Sequence, residues 1–377
     1  MSLFILYSIC ATYLTLSKVR RLVALCTAMF LSLQMAELPA SAAGGFSDVP
    51  AGSPYYESVT YLAGRGITAG TGGHSFSPER PITVREWAAL LFRAFDGGTL
   101  SCDSPKERSE LSIQRCYQNG WLGVSAAISP DGTLCRGELL LSAFHAAGLP
   151  VYDASLYGYE ETGMSPQENA VRIGEELGLC PEGAAPLECM TRGDAAMLLF
   201  PLLTQSIEIA APPILDVVPI HADASTDLNR YLLEIACVPE SILQAFHDAG
   251  WEYHVSPDYL RSYSEEHGMN CIGLTSYSEK RIYVSTPSST IHEFGHFLEW
   301  VLRFPPEYEM LYREEAEAAL AVLREYAATN SHEYFADYFA FWIRNSADEA
   351  RMERLKTAAP QTYEYFSALE ACNWVVE

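Results

Sequence analysis

Apolar residues recur at helical spacing in two parts of the chain, and the pattern changes near position 210. In the first part, short apolar stripes alternate with Gly-rich turns and repeat with a period of roughly fifty residues. Each repeat predicts a helix, a turn and a second, capped helix. The second part predicts amphipathic helices at residues 227–237 and 239–249 and short strands at 251–255 and 280–285.

The repeats are aligned by arginines near the start of their second helices. Arg85, Arg136 and Arg192 lie 51 and 56 positions apart. A stretch rich in Ala and Pro at residues 206–214 predicts a stiff linker after the third repeat. The predicted organisation is therefore a signal peptide at 1–42, repeats at 43–100, 101–155 and 156–205, the linker at 206–214, and a last domain at 215–377.

The strongest chemical signal is the sequence His292-Glu293-Phe294-Gly295-His296, within an apolar segment, 288–304, that predicts a helix. Residues i and i+4 of a helix share a face, so both imidazoles can bind one zinc ion. Glu293 would then lie beside the open side of the metal, where it can take a proton from water. The alternative interpretation is an amphipathic core helix with two half-exposed histidines.

A second, aromatic-rich helix is predicted after Asn330 or Ser331, either of which can act as its N-cap. Glu333 falls in its first turn, where a buried carboxylate without a partner would be costly, and zinc is one such partner. The alternative is an acid that offsets the helix dipole. Asp337, four residues on, can accept a hydrogen bond from a ligand imidazole. Tyr326 precedes Glu333 by seven residues and offers a phenol to an oxyanion.

These residues together resemble the anthrax lethal factor family of zinc metallopeptidases and, within it, the secreted Pro-Pro endopeptidases. The resemblance extends to residues 355–363, which are similar to the C-terminal signature of the Pro-Pro enzymes. It implies zinc bound by His292, His296 and Glu333, with Glu293 as general base and Tyr326 stabilising the oxyanion. Residues 263–281 lack the Gly- and Trp-rich loop of the Pro-Pro enzymes, so the resemblance implies a peptidase more strongly than Pro-Pro specificity.

The first part of the chain resembles S-layer homology repeats. The resemblance rests on the sequences at 46–49, 66–70 and 76–78 of the first repeat and at 191–194 of the third. It implies an all-helical module of three repeats that binds the anionic secondary polymer of a Gram-positive cell wall. The polymer contacts it implies are Asp48, Arg85, Arg136 and Arg192. The alternative is that these side chains only cap helices and form local pairs.

The N-terminal residues predict export. Lys18, Arg20 and Arg21 precede an apolar run at 22–33, and small residues at 40–42 predict cleavage before Ala43. Because residues 1–17 form an additional apolar stretch before these basic residues, we expect the true start to lie downstream of Met1. A retained membrane anchor is the alternative, although the apolar run is short for a membrane span. We expect no membrane partner once the signal is removed.

Charge and cysteine content agree with a location outside the cell. Removal of residues 1–42 changes the net charge from −24 to −26, which would repel nucleic acid and anionic membranes. Eight of the ten cysteines remain, and an even number in a secreted chain allows disulfides. The spacing favours a bridge between Cys180 and Cys189 in the third repeat and leaves the other pairings open. The alternative is that anaerobic surroundings keep all of the thiols reduced.

The sequence thus predicts a multidomain fold, with an all-α S-layer homology module of three repeats followed by an α+β, gluzincin-like zinc metallopeptidase domain. The predicted function is a secreted zinc metalloendopeptidase, associated with the cell wall or S-layer, that hydrolyses extracellular or surface proteins, with cleavage near prolines as one expectation. Two alternatives stay open. One is a non-catalytic, adhesive S-layer protein, and the other is a zinc hydrolase that acts on cell-wall peptides.

Overall fold

The computed structural model describes residues 45–97, 104–158, 164–223 and 226–374. The predicted signal peptide at 1–42 and Cys102 lie outside these residues. By its internal contacts the chain divides into two compact units, Met1–Pro78 and Glu79–Glu377. The described residues are mostly helical with one four-stranded sheet. None of their helices combines the length and the apolar character that crossing a bilayer requires.

The first unit is a helix followed by a tight loop. Helix α1 is Tyr56–Gly64. The loop makes a close approach at Gly70, where φ is +74° and a Cβ would lie 2.4 Å from the Phe46 ring and from the Ser75 carbonyl oxygen. Only glycine fits this position without strain. This contact explains why the sequence of the first repeat carries a glycine there.

The second unit begins with the helices of the predicted repeats. They are α2 Val84–Leu91, which continues into a π-helical turn at Phe92–Asp96, α3 Pro105–Gln118, α4 Val124–Ala127, α5 Arg136–Ala146, α6 Pro166–Glu176 and α7 Arg192–Thr204, with a 3-10 segment at Ala154–Tyr157. The prediction of a helix, a turn and a second helix in the second and third repeats is confirmed. Capping boxes begin α2 and α7, at Thr83 with Glu86 and at Thr191 with Asp194.

Short backbone bridges tie the segments before α2, α5 and α7 to one another. Thr83 pairs with Thr133, Cys135 pairs with Cys189, and Pro81 pairs with Thr191. Each segment therefore contacts the other two, and their backbone groups are satisfied without a formal strand. Equivalent positions of the three repeats meet in one place, as expected for a packed module.

The predicted bridge between Cys180 and Cys189 is wrong. Cys180 and Cys189 are free thiols, as are the other five cysteines within the described residues. The Cys180 Sγ donates to the Val171 carbonyl oxygen at 3.6 Å, while the backbone of Cys189 pairs with that of Cys135. Proximity in sequence did not bring the two sulfur atoms together.

The rest of the second unit surrounds a small sheet. Its helices are α8 Ile214–Val217, α9 Asn229–Ala236, α10 Glu240–Asp248, α11 Pro257–His267, α12 Thr290–Val301, α13 Pro306–Ala319, α14 Ser331–Asn345, α15 Glu349–Ala358 and α16 Pro360–Ala371, with 3-10 segments at Pro287–Ser289 and Glu325–Ala328. The strands are β1 Ile220–His221, β2 Glu252–Val255, β3 Gly273–Ser276 and β4 Arg281–Val284, in the order β1-β2-β4-β3. β3 is an edge strand, antiparallel to β4, whereas β1, β2 and β4 are parallel.

Helices α12 and α14 pack closely, and the contact is made by small residues. A Cβ on Gly295 would lie 2.8 Å from the Ala336 Cα, so any larger residue would push the helices apart. Phe294 and Phe297 of α12 are fully buried beside this contact. Burying a side chain of this size contributes about 1.5–3 kcal/mol. The packing fixes the distance between the helix that carries the two histidines and the helix that carries Glu333.

Candidate metal centre

Two histidines of α12 and a glutamate of α14 converge. His292 and His296 lie one turn apart on α12 and are 7% and 8% exposed. The Nε2 atoms of these histidines lie 3.1 and 3.3 Å from the same Oε2 atom of Glu333. The structure therefore brings together the three side chains that the sequence singles out as metal ligands.

The spacing of these three atoms suits zinc. Zn–N and Zn–O bonds of about 2.0–2.2 Å at tetrahedral angles separate neighbouring ligand atoms by roughly 3.4 Å. The observed separations from Glu333 to His292 and His296 are close to that value. Two imidazoles and one carboxylate form the donor set of catalytic zinc sites that keep a fourth position open. The residues present thus fit the ion that the sequence predicts.

The charges around His292 and Glu333 favour a cation between them. Burial by itself would lower the pKa of His292, but its hydrogen bonds with Asp337 and Glu333 raise it to about 9. Burial by itself would raise the pKa of Glu333, but hydrogen bonds with His292 and His296 hold it well below its usual value. The carboxylates therefore stabilise a cation between the rings, whether a proton or a metal ion.

The N-terminus of α14 presents Glu333 to the histidines. The Asn330 side chain accepts hydrogen bonds from the backbone N–H groups of His332 and Glu333 at 2.9 and 3.0 Å, so Asn330 is the N-cap. Of the two N-caps that the sequence allows, the structure selects this one. Glu333 also contacts both imidazoles, so it does more than offset the helix dipole.

Asp337 lies one turn after Glu333 and orients His292. Its Oδ1 is 2.7 Å from the Nδ1 of His292, which leaves Nε2 pointing at Glu333. Arg324 donates to both oxygens of Asp337, from Nε at 3.1 Å and from Nη2. His296 differs, since its buried Nδ1 has no hydrogen-bond partner within the described residues. The sequence predicted that Asp337 contacts a ligand imidazole, but it did not predict the contact of Arg324 with Asp337.

Replacing Asp337 with alanine is expected to weaken zinc binding by about 10- to 100-fold, because the His292 ring loses the partner that fixes its tautomer and orientation. The measurement is a competition titration with a chromogenic chelator. Asp258→Ala, at an exposed position in the first turn of α11, is the control. An unchanged zinc affinity in Asp337→Ala would show that His292 does not need Asp337 for its orientation.

Glu293 lies against the edge strand β3. The Thr275 hydroxyl donates to the Oε2 of Glu293 at 2.8 Å. A Cβ on Gly273 would lie 2.2 Å from the Oε1 of Glu293, so the strand backbone runs directly beside the carboxylate. Thr275 and Gly273 were not predicted from the sequence. Together they hold the Glu293 carboxylate against one face of β3.

Tyr326 lies at the mouth of the same cluster, on the 3-10 segment Glu325–Ala328. Its side chain is half exposed, and its ring centroid is 6.0 Å from that of His292. Burial and the negative charge of Glu333 raise the pKa of Tyr326, so the phenol keeps its proton at neutral pH. A protonated phenol at this position can donate a hydrogen bond.

Comparison with known families agrees with both resemblances. The family described as anthrax toxin lethal factor, N- and C-terminal domain, matches residues 238–369. The S-layer homology domain matches residues 45–83. The chain thus combines an S-layer homology part with a lethal factor-like part. A comparison with curated proteins found no match.

The lethal factor-like match includes every residue of the metal centre described above, and it suggests a family of zinc metalloproteases. The S-layer homology match indicates association with the cell surface. It covers the first predicted repeat up to residue 83, which includes Asp48. The assignment of the second and third repeats, with Arg136 and Arg192, to this family stays a prediction.

Asp48 closes its own loop. Its carboxylate accepts hydrogen bonds from the backbone N–H groups of Phe76 and Ser77 at 2.9 and 2.7 Å and from the Ser75 hydroxyl. These three donors explain the position of the residue without a ligand. A role of Asp48 toward a wall polymer stays a prediction.

The three predicted arginines also form local pairs. Arg85 pairs with Asp131 at 3.1 Å and Arg136 with Glu188 at 2.6 Å. Arg192 is only 3% exposed and pairs with Glu86 at 3.1 Å. An anionic polymer that reached Arg192 would have to displace the Glu86 carboxylate. The contacts agree with the local-pair interpretation, and polymer binding by these arginines stays a prediction.

Proposed function

We propose that this chain is a zinc metalloendopeptidase held at the outer surface of a Gram-positive cell. The observation that carries the proposal is the convergence of His292 Nε2 and His296 Nε2 on one oxygen of Glu333 at 3.1 and 3.3 Å. Support comes from the lethal factor-like match over the same residues and from the S-layer homology match at 45–83. The fold proposed for the catalytic part is gluzincin-like, with glutamate as the third ligand.

The residues around the site divide the chemistry of peptide hydrolysis among them. A bound zinc ion would supply the positive charge that polarises the scissile carbonyl and acidifies a water molecule. Glu293 takes a proton from that water and returns it to the leaving amine. The Thr275 hydroxyl keeps the carboxylate of Glu293 in place. Tyr326 donates its phenolic proton in a hydrogen bond to the developing oxyanion.

The edge strand β3 gives the substrate a place to lie. An extended peptide that adds to a sheet edge is held by backbone hydrogen bonds, which suit a protease because they do not depend on side chains. Gly273 and Thr275 of β3 both contact Glu293, so a peptide along this edge would carry its backbone past the general base. This arrangement favours internal bonds of a protein substrate.

Replacing Tyr326 with phenylalanine is expected to lower kcat by about 10- to 1000-fold with little change in KM or zinc content, because one oxyanion donor is removed and the ring is kept. The measurement is steady-state kinetics on a cleaved peptide. Tyr117→Phe, at an exposed tyrosine of α3, is the control. An unchanged kcat would remove Tyr326 from this role.

We propose that the predicted repeats anchor the enzyme through the secondary polymer of the wall. The S-layer homology match supports surface association, and the bridges among the segments before α2, α5 and α7 support a packed module. Because the chain is strongly acidic, an anionic polymer would need local basic side chains such as Arg85 and Arg136.

The test of the function is cleavage of casein and of a proline-containing peptide library by the purified full chain. Activity is expected to disappear with a chelator and to return with added zinc. The library also reports proline preference. A zinc-loaded protein that cleaves neither substrate would favour the adhesive alternative. Release of peptides from purified peptidoglycan, without casein cleavage, would favour a hydrolase of wall peptides.

A further inference from the structure

A second group of metal-binding side chains lies on strands β1 and β2. His221 ends β1, and the parallel register pairs it with His254 of β2. Glu252 lies two residues before His254, and alternation along a strand places both on one face of the sheet. The buried Tyr253 and Val255 point to the other face. Sheet geometry alone therefore gathers two imidazoles and one carboxylate.

The ligand atoms of this group lie close enough to share an ion. The His254 Nε2 is 3.0 Å from one oxygen of Glu252, and the His221 Nε2 is 3.7 Å from the other. The two rings stack with their centroids 4.5 Å apart. One ligand atom from each residue lies within 4.8 Å of the others. The His221 side chain is 53% exposed, so an ion and its remaining waters can enter from solvent.

Arg281 of β4 contacts the Glu252 carboxylate through one oxygen and leaves the other oxygen available. Its Nε donates to the Oε2 of Glu252 at 2.9 Å. The Oε1 of Glu252 faces His221 instead. An ion bound through Oε1 would not break the hydrogen bond from Arg281, which would then orient the carboxylate as Arg324 orients Asp337 in the first site. The simpler alternative is that Glu252 only pairs with Arg281 and His254.

We propose that His221, Glu252 and His254 form a second metal site, for a divalent transition metal such as zinc. Two imidazole nitrogens favour zinc, nickel or copper over calcium and magnesium, which prefer oxygen ligands. β1 is an edge strand of only two residues. A metal ion bridging His221 and His254 would tie this strand to β2, so its role would be structural, and it would be independent of peptide cleavage.

The test is the number of zinc ions bound by the full chain after removal of metal and titration with zinc. About two equivalents are expected for the wild type and about one for His221→Ala and for His254→Ala. His247→Ala, at an exposed histidine of α10 that contacts Asp248, is the matched control and should keep both. A second equivalent that persists in His221→Ala and His254→Ala would overturn the proposal. A wild type that binds only the ion lost in Glu333→Ala would overturn it as well.

A second measurement separates this site from the first one. In Glu333→Ala, which lacks the third ligand of the first site, zinc is expected to raise Tm in a saturable manner, because an ion that binds only the folded state stabilises it. Adding His221→Ala should abolish that rise, and calcium should produce none. If zinc leaves the Tm of Glu333→Ala unchanged, the proposal fails, whatever the activity assays show. If the Tm rises while the wild type cleaves nothing, the second site stands and the proposed peptidase fails.

Discussion

Replacing Glu293 with glutamine is expected to lower kcat/KM by about 10²- to 10⁴-fold, the usual contribution of a general acid–base group, and to leave the zinc content unchanged. Glutamine keeps the shape of the side chain, and its amide oxygen can still accept the hydrogen bond from Thr275. It cannot take a proton from water. The measurement is kcat/KM on a peptide from the library, together with the zinc content of both proteins.

The control for Glu293→Gln is Glu325→Gln, which makes the same change of charge at an exposed residue of a nearby segment. It should retain wild-type activity and zinc. Normal turnover in Glu293→Gln would remove Glu293 from the role of general base. A loss of zinc in that variant would show instead that Glu293 shapes the metal site.

Sequence could predict the histidine pair because the relation between the two is local. On any α-helix the side chains of His292 and His296 share a face, whatever packs around them. The assignment of Glu333 needed further evidence, because this residue lies in another helix and helix geometry does not relate it to the two histidines. The cost of burying an unpaired carboxylate, together with the family resemblance, was enough to choose it. The contact of Gly295 with Ala336, which sets the helix distance, became visible only in the structure.

The parts of the site that sequence reasoning missed depend on tertiary contacts. Arg324 follows no motif, and its role arises only because the fold brings it to Asp337. Thr275 and Gly273 belong to β3, a strand of four half-buried residues without the alternation that predicts a strand. β1, with His221, is shorter still. Short strands carry too few residues for a pattern, yet here they position Thr275 beside Glu293 and His221 beside His254.

The disulfide prediction failed for a related reason. Cysteine spacing in the sequence says how long a loop is, but a disulfide requires a specific distance and direction between two Cβ atoms. In the third repeat the backbone of Cys189 is engaged with Cys135, and the thiol of Cys180 turns toward Val171. The bridges among the repeats are long-range contacts that no single repeat encodes.

Replacing Glu333 with alanine is expected to remove about one equivalent of zinc per chain and to reduce peptide cleavage to background. Two imidazoles would remain, whereas catalytic zinc sites use three protein ligands. Helix α14 should persist, because Asn330 caps it through its own side chain and alanine favours helices. The measurements are metal content, circular dichroism and peptide cleavage.

Two further variants test whether Glu333 acts by binding the metal or only by its negative charge. Glu349→Ala removes an exposed glutamate from the first turn of the next helix, α15, and should change neither zinc content nor activity. Glu333→Asp keeps the charge but withdraws the carboxylate by one carbon–carbon bond, about 1.5 Å. The Oε2 of Glu333 lies only 3.1 and 3.3 Å from the Nε2 atoms of His292 and His296, so this retreat should break one ligand bond and lower zinc affinity. Full zinc binding and activity in Glu333→Ala would contradict the metal centre itself, because the two imidazoles would then suffice without the carboxylate.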